Sequence, residues 1–323
     1  MLDSAYYLRD SPEMQADPFS DILKLMRAET LVTGGFTAGG AWALRFPVPE
    51  KIKFFAVVKG HCVVRIDGTD EWIGFGTGDV GLLAARRSFV LASDPAVPPV
   101  DAMRVFSDAR AATPMLGDGA DFAHIGGHVL LDPASGQLLA DALPPWIHIP
   151  ATSPHATTFR WLLDQLVAER AGGLPGGLLA SAQLAQLLFI QILRAHIDTS
   201  APMPAGWLRA LGDPRIAPAL RLMHAQPDRA WQLGELARAC AMSRTTFAAH
   251  FKTVAGVAPL AYLTGWRMRL AERALREDAA PVAAIARSLG YGSESAFSNA
   301  FKRISGRSPR AYRNGARGDL GSV

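Results

Sequence analysis

The sequence predicts a two-domain α+β chain. A β-barrel or jelly roll with helices at its C-terminal side comes first, followed by an all-α domain of two tandem helix-turn-helix units. Three observations carry this. One stretch occurs twice: FAAHFKTVAGVAPLAY from Phe247 and FSNAFKRISGRSPRAY from Phe297, with every matched pair from Phe247/Phe297 to Tyr262/Tyr312 separated by 50 positions. A period of that length marks a repeated supersecondary unit. Residues 40–105 instead alternate short β-rich runs with Gly, Asp and Pro turns. The charge divides along the same line. From Asp213 onward there are 17 Lys+Arg against 8 Asp+Glu, whereas the preceding residues hold 16 against 21, within a net charge of +4. A chain of 323 residues suits two domains of roughly 100–200 residues each.

In chain order, residues 1–30 read as an entry segment with a helix over Asp21–Thr30. The start, from Met1 to Tyr7, lacks the basic–apolar layout of a signal peptide. Strands are expected at Trp42–Phe46, Ile52–Val58, Cys62–Ile66 and Asp79–Leu83, punctuated by Pro47/Pro49, Lys59-Gly60, Asp67-Gly68 and Gly74 to Gly78. Closely spaced short strands of this kind build a barrel or jelly roll. Helices follow at Phe159–Arg170 and Leu178–His196, with apolar stripes Leu162, Leu163, Leu166, Val167 and Leu184, Leu187, Leu188, Ile192. These stripes can pack on the barrel or build a dimer interface. Leu178–Leu193 is the richest apolar run, but Gln183, Gln186 and Gln191 interrupt it, short of the ~18–20 residues of a membrane span. Residues 1–198 form the first domain in this reading, and the Pro/Ser/Gly-bearing segment 199–212 is the linker.

The second domain covers residues 213–316 and opens with a helix at Arg215–His224. Its first helix-turn-helix lies at about 233–254, a connecting helix at 259–275 and the second unit at about 282–305. Phe247, Phe251 and Val254 fall at i, i+4 and i+7, as do Phe297, Phe301 and Ile304. Ser243 and Ser293 are N-caps, Gly256 and Gly306 close the helices, and Pro259 and Pro309 open the next ones. Ala237 and Ala286 are the small residues at the helix crossings. On the connecting helix, Trp266, Met268, Leu270 and Leu275 face inward, and Arg267, Arg269, Arg273 and Arg276 supply charge.

These residues in this order resemble the DNA-binding domain of the AraC/XylS family of bacterial transcription regulators. The matching positions run from Leu236-Ala237, Met242-Ser243-Arg244 and Arg267-Met268 to Ile285-Ala286, Leu289-Gly290-Tyr291, Ser308-Pro309 and Tyr312-Arg313. Ala241 departs from the pattern, which usually has glycine in the turn. The first domain resembles the cupin-like effector domains that precede it, through Lys59-Gly60, Gly78-Asp79, His124 to Gly127, Ala142 to His148 and Leu174 to Gly177. Ile125 stands where that subfamily often has a cysteine, so a two-cysteine redox mechanism is not carried over.

The resemblance implies a sequence-specific transcription factor acting on promoter or operator duplex DNA, as an activator or a repressor. Residues off the phenylalanine stripe would face the groove: Arg244, Thr245, Ala248, Ala249 and Lys252 in the first unit, Glu294, Ser295, Ser298, Asn299, Lys302 and Arg303 in the second. Asn299 suits a bidentate bond to adenine and Arg244 one to guanine, each worth roughly 1–3 kcal/mol of discrimination. The basic second domain is an electrostatic footprint for phosphates. The family also implies a homodimer, RNA polymerase as partner of an activator, and a small-molecule effector in the barrel, walled by Trp42, Phe54, Val57, Trp72 and Phe75. The protein would be cytoplasmic and nucleoid-associated, which fits two cysteines, Cys62 and Cys240, that make no disulfide framework.

The competing class is a metal-binding cupin enzyme fused to a DNA-targeting domain. Such chemistry needs three or four converging nitrogen and oxygen ligands. No His-x-His pair occurs, and the glycines between His124 and His128 argue for ordinary structural histidines. Cys62 beside His61 reads as core rather than as a redox sensor. Gly74, Gly76 and Gly78 lie in a hairpin, not ahead of a helix, so they make no phosphate loop. No catalytic residue, metal or cofactor is assigned.

Overall fold

The computed structural model describes residues 17–106, 114–119, 121–132, 136–199, 203–277 and 280–320. They form two compact units, one from the described residues between 27 and 199 and the other from residues 17–26 together with those between 203 and 320. In chain order the elements begin with α1 (Pro18–Leu25), β1 (Glu29–Ala38), β2 (Ala43–Phe46), β3 (Ile52–Lys59), β4 (His61–Ile66), β5 (Ile73–Gly76), β6 (Val80–Leu83), β7 (Phe89–Ala92) and β8 (Val100–Asp101). Then come α2 (Ala102–Phe106), β9 (Met115–Leu116), β10 (Phe122–Leu130), α3 (Gln137–Ala142), β11 (Trp146–Ile149), α4 (Ala156–Gly172) and α5 (Gly177–Asp198). The rest is helical: α6 (Trp207–Leu211), α7 (Ala217–Ala225), α8 (Leu233–Ala239), α9 (Arg244–Ala255), α10 (Pro259–Glu277), α11 (Val282–Ser288), α12 (Glu294–Ser305) and α13 (Pro309–Leu320).

The helix expected over Asp21–Thr30 begins and ends earlier. Asp17 caps it, accepting from the Phe19 N–H at 3.1 Å, and Pro18 occupies a first-turn position where its missing N–H costs nothing. Arg27 then takes a positive φ of 44° and breaks the helix, and Thr30, Val32 and Thr33 go into β1. Their β-branched side chains suit a strand better than a helix. Helix α1 packs on α7 and α10 of the C-terminal unit, where Asp21 Oδ2 lies 3.2 Å from His224 Nδ1 and His224 Nε2 lies 3.0 Å from the Tyr262 hydroxyl.

The barrel unit consists of a six-stranded sheet, ordered β11-β6-β3-β10-β1-β9, and a five-stranded sheet, ordered β5-β4-β7-β2-β8. Side chains alternate across a strand, so one set of each lines the interior. Phe36, Leu44, Phe55, Val57, Cys62, Val64, Phe75, Leu83, Phe89, Leu91 and Phe122 meet there in a single core. Helices α4 and α5 pair with one another, and α5 also rests on β1, where Thr30 Oγ1 donates to Gln186 Oε1 at 2.9 Å. Helix α5 is long and apolar enough to cross a membrane by length and composition alone. Its buried Ala185, Leu188, Phe189, Ile192 and Leu193 identify it instead as a packed core helix.

In the C-terminal unit, part of the expected linker is structured. Trp207–Leu211 form α6, which packs on α9, and Gly206 N–H donates to Val254 O at 3.0 Å. This cover buries Val254. Its repeat partner Ile304, expected on the core face, is 47% exposed, because no counterpart of α6 covers α12 among the described residues.

Candidate nucleic-acid interface and barrel cavity

The two helix-turn-helix units are built by the same local rules. The Ser243 hydroxyl accepts from Thr246 N–H at 3.2 Å, and the Ser293 hydroxyl accepts from Ala296 N–H at 3.1 Å. Gly256 and Gly306 end α9 and α12 at φ 76° and 75°. Phe247 and Phe251 are fully buried with ring centroids 5.6 Å apart, and Phe297 and Phe301 repeat this at 5.7 Å. An edge-on tyrosine closes each stack, Tyr262 on Phe251 and Tyr312 on Phe301.

The turns share a pattern as well. Met242 N–H donates to Ala237 O and Ala241 N–H to Arg238 O; Tyr291 N–H donates to Ala286 O and Gly290 N–H to Arg287 O. This pair of bonds is a Schellman closure, which wants a left-handed residue at its centre. Gly290 supplies it at φ 77°, and Ala241 is forced into the same region at φ 52°. The extra residue of the second turn is Gly292, placed after this closure.

With the phenylalanines inward, the expected groove residues face out. Arg244, Thr245, Ala249 and Lys252 are exposed on α9, and Ala248 is half-buried. Ser295, Asn299, Lys302 and Arg303 are exposed on α12, with Ser298 half-buried. The stem of Arg244 lies over Gly234 of α8, which has no side chain to obstruct it. Glu294 is engaged by Arg310 at 3.4 Å. His250 is held by Asp213, Nε2 to Oδ2 2.8 Å, which anchors α9 to the loop before α7.

Arg267 on α10 does more than the sequence revealed. Its Nε donates to Pro227 O and its Nη2 to Arg229 O at 2.8 Å, and its guanidinium lies 5.8 Å from the Tyr291 ring. The same α7–α8 loop abuts the second turn, for a Cβ on Gly290 would come within 1.9 Å of Asp228 O. One side chain thus ties the connecting helix, the loop ahead of the first unit and the turn of the second. Spacing shows a charge on α10 but not that backbone carbonyls will use it.

Residues 17–198 match the family described as Cupin, and residues 236–315 match the one described as a helix-turn-helix domain. A putative AraC-like transcription regulator of Streptomyces lividans is 43% identical over 297 residues, 92% of this chain and 98% of its own length. The chain is an AraC-like transcription regulator. The HTH-type transcriptional regulator AlkR of Acinetobacter baylyi is 31% identical over 285 residues, which cover 85% of this chain and 91% of AlkR. Among solved structures, the DNA-binding domain of AdpA in complex with a target DNA aligns with 34% of this chain and 99% of its own, at 30% identity and a TM-score of 0.32.

The regulator also holds a cavity of about 520 Å³ in its barrel unit. Phe36, Phe46, Phe55, Phe89, Leu91 and Phe106 supply apolar wall, and Lys53 and His124 supply its polar groups together with Thr33 and Arg170. Of the five residues expected to wall a pocket, Phe54 lines this space. Trp42, Val57 and Phe75 are instead consumed in the core, and Trp72 packs outside it, under the guanidinium of Arg65 at 4.7 Å. Sequence reasoning chose the large aromatics; the space lies where side chains are missing.

Cys62 is buried in the same core, and burial, with the nearby Asp79 charge, pushes its thiol up to about 12. A thiol held this firmly protonated is a poor nucleophile. Asp79 itself caps a turn: it accepts from Gly76 N–H at 3.0 Å and Ala151 N–H at 2.7 Å, and His148 Nε2 lies 3.0 Å away. Among the described residues no three His, Cys, Asp or Glu side chains are grouped so as to hold a metal ion.

Proposed function

We propose that the regulator reads an extended duplex operator with the N-terminal halves of α9 and α12, each set in the major groove. The observation that carries this is the duplicated presentation of the two helices, with matching caps, stacks and closures, on a connecting helix tied to both units by Arg267. Arg244, Thr245 and Asn299 then meet base edges, with Ala248, Ala249, Ser295 and Ser298 against the groove wall. Lys252, Lys302 and Arg303 meet phosphates. Glu294, paired with Arg310, orients that arginine rather than reading a base. The second helix-turn-helix reads a groove segment about one turn, roughly 34 Å, from the first.

The regulator acts as a homodimer in the cytoplasm, so two chains double the site. The α4–α5 hairpin supports this, for it leaves Trp161, Leu174, Leu178 and Leu179 exposed, Leu178 at 92%. Leu174, Leu178 and Leu179 lie together in sequence at the turn of the hairpin, and exposed apolar side chains so grouped mark an interaction surface. A small molecule in the barrel cavity biases the population of DNA-competent chains, and where the regulator activates a promoter its partner there is RNA polymerase.

Selection of binding sites from a genomic fragment library, repeated across a salt series, tests the reading. Asn299→Ala should relax base preference at one position of the second half-site. Lys302→Ala should weaken all sites alike and reduce the salt slope by about one. If both variants behave as wild type while Arg244→Ala abolishes binding, only the first unit reads bases and the extended operator is wrong.

A further inference from the structure

The barrel cavity owes its existence to glycines in register. Strand β10 pairs with β1 so that Phe36 lies opposite His124 and Gly34 opposite Gly126, and β10 pairs with β3 so that Gly126 lies opposite Phe55. Phe36 and Phe55 belong to the inner core, so Gly34 and Gly126 share the inner face with them. Both strands therefore place no side chain in the same row of the interior. A Cβ on Gly34 would meet nothing within 4 Å, and one on Gly126 would meet its nearest neighbour only at 3.5 Å.

Two atoms share that distance from Gly126, the backbone oxygen of Phe54 and His124 Nε2. The Nδ1 of the same ring accepts the Phe36 N–H at 3.2 Å, which fixes the proton of the neutral ring on Nε2. Nε2–H is thus a donor set over the space that Gly126 leaves. Burial and the Lys53 charge hold the ring neutral, its pKa down at about 4.

Lys53 has the same phase along β3 as Phe55 and Val57, so it too projects into the barrel. Its ammonium lies 5.9 Å from the Phe46 ring, and no carboxylate pairs with it among the described residues. Burial lowers its pKa, a cost that an anion in the cavity would reverse. Around these donors the wall is aromatic: Phe46 stacks on Phe89 at 4.8 Å, and Phe106 and Phe36 continue the surface. Among the described residues that line the cavity, the remaining charged side chain, Arg170, is also cationic, and none is acidic.

We infer that the cavity takes an organic monoanion, an aromatic or otherwise apolar body carrying one carboxylate, with the carboxylate at Lys53 and His124 Nε2–H as the second donor. This rests on the effector reading above and gives it a ligand class. A cation would meet Lys53 unshielded. A neutral apolar molecule would cover two half-buried donors and leave them without acceptors, and such loss discriminates more strongly than shape. The volume lies within the range of about 300–1,000 Å³ typical of small-molecule sites.

Calorimetric titration of the full-length regulator with three isosteric probes decides it: 4-tert-butylbenzoate, 4-tert-butylbenzamide and 4-tert-butylbenzylamine. The benzoate should bind at least tenfold more tightly than either of the others. Lys53→Met should remove that preference, and Gly34→Leu, which fills the open row, should abolish binding with the thermal transition retained. Equal binding of all three probes, lost in Gly34→Leu, overturns the anion and leaves the cavity as a ligand site. Binding by none of them overturns both. So does benzoate binding that survives Gly34→Leu, since the ligand then sits elsewhere.

Discussion

Arg267→Met should uncouple the two DNA-reading units while leaving each folded. The methionine keeps the apolar stem but loses both hydrogen bonds to the α7–α8 loop, those to Pro227 O and Arg229 O, and the contact with Tyr291. A hydrogen bond from a charged donor is worth about 1.5–3 kcal/mol net, and these are partly exposed, so the lower end applies to each. The exposed cation–π contact adds about 0.5 kcal/mol. The lock is therefore worth ~3.5 kcal/mol, or about two and a half orders of magnitude in an equilibrium constant. A second helix held in place binds at high effective concentration once the first has docked; released, it loses that advantage.

The assay compares the full chain on a long operator and on one truncated to the segment read by α9. Wild type should favour the long site strongly, and Arg267→Met should lose at least tenfold on it while matching wild type on the short one. Arg267→Lys should fall with the methionine, because one ammonium cannot span two carbonyls and stack as well. An unchanged long-to-short ratio in Arg267→Met would refute the lock. A fall accompanied by a salt slope reduced by about one would show that Arg267 binds a phosphate instead.

Ala241→Gly should stabilise the C-terminal unit by about 0.5–1 kcal/mol. The left-handed residue costs an alanine about 1–2 kcal/mol, and the added freedom of glycine in the unfolded chain returns part of that. The reverse change, Gly290→Ala, drives a Cβ into Asp228 O and should cost more than it does at any open turn; chemical denaturation reads both. Cys62 should resist disulfide-exchange reagents in the native state and react fully in denaturant. Its folded pKa of about 12 exceeds the ordinary 9.0, so its contribution to stability is complete below pH 9 and is lost as pH rises from 9 towards 12; Cys62→Ala should flatten that alkaline decline. Leu178→Glu with Leu179→Glu should give a monomer by sedimentation with an unaltered melting profile, because both side chains are already exposed. A dimer that persists would move the interface off the α4–α5 hairpin.

What the sequence made legible follows its periodicities. The phenylalanine helices, their serine caps and glycine closures are local features, and the structure places each where the spacing put it. The same local logic failed at Ile304, because its exposure depends on a helix far upstream in the chain, Trp207–Leu211, that covers only the first unit. Strands β1 and β10, neighbours in the larger sheet, escaped notice for a related reason. Their glycine pairs, Gly34-Gly35 and Gly126-Gly127, read as turns in isolation. In the sheet they allow close packing: a Cβ on Gly35 would strike His124 O, and one on Gly127 would strike Leu31 O and the Phe54 ring.

The cavity shows the limit most sharply, and also a signal that was there to be read. Aromatic residues attract attention as pocket walls, yet a tightly packed barrel consumes Trp42 and Phe75 as core. Space arises where two paired strands both lack a side chain on the inner face, and that needs the register, which no window of sequence contains. Lys53 was visible, however. In the run Ile52–Val58 it keeps phase with Phe55 and Val57, which places a cation on the buried side of a strand. Among the described residues no carboxylate pairs with this half-buried charge, and desolvating a charge without such a partner costs free energy that packing alone does not return. The physical expectation is that something in the life of the regulator pairs with it, and the glycine row beside it supplies the room.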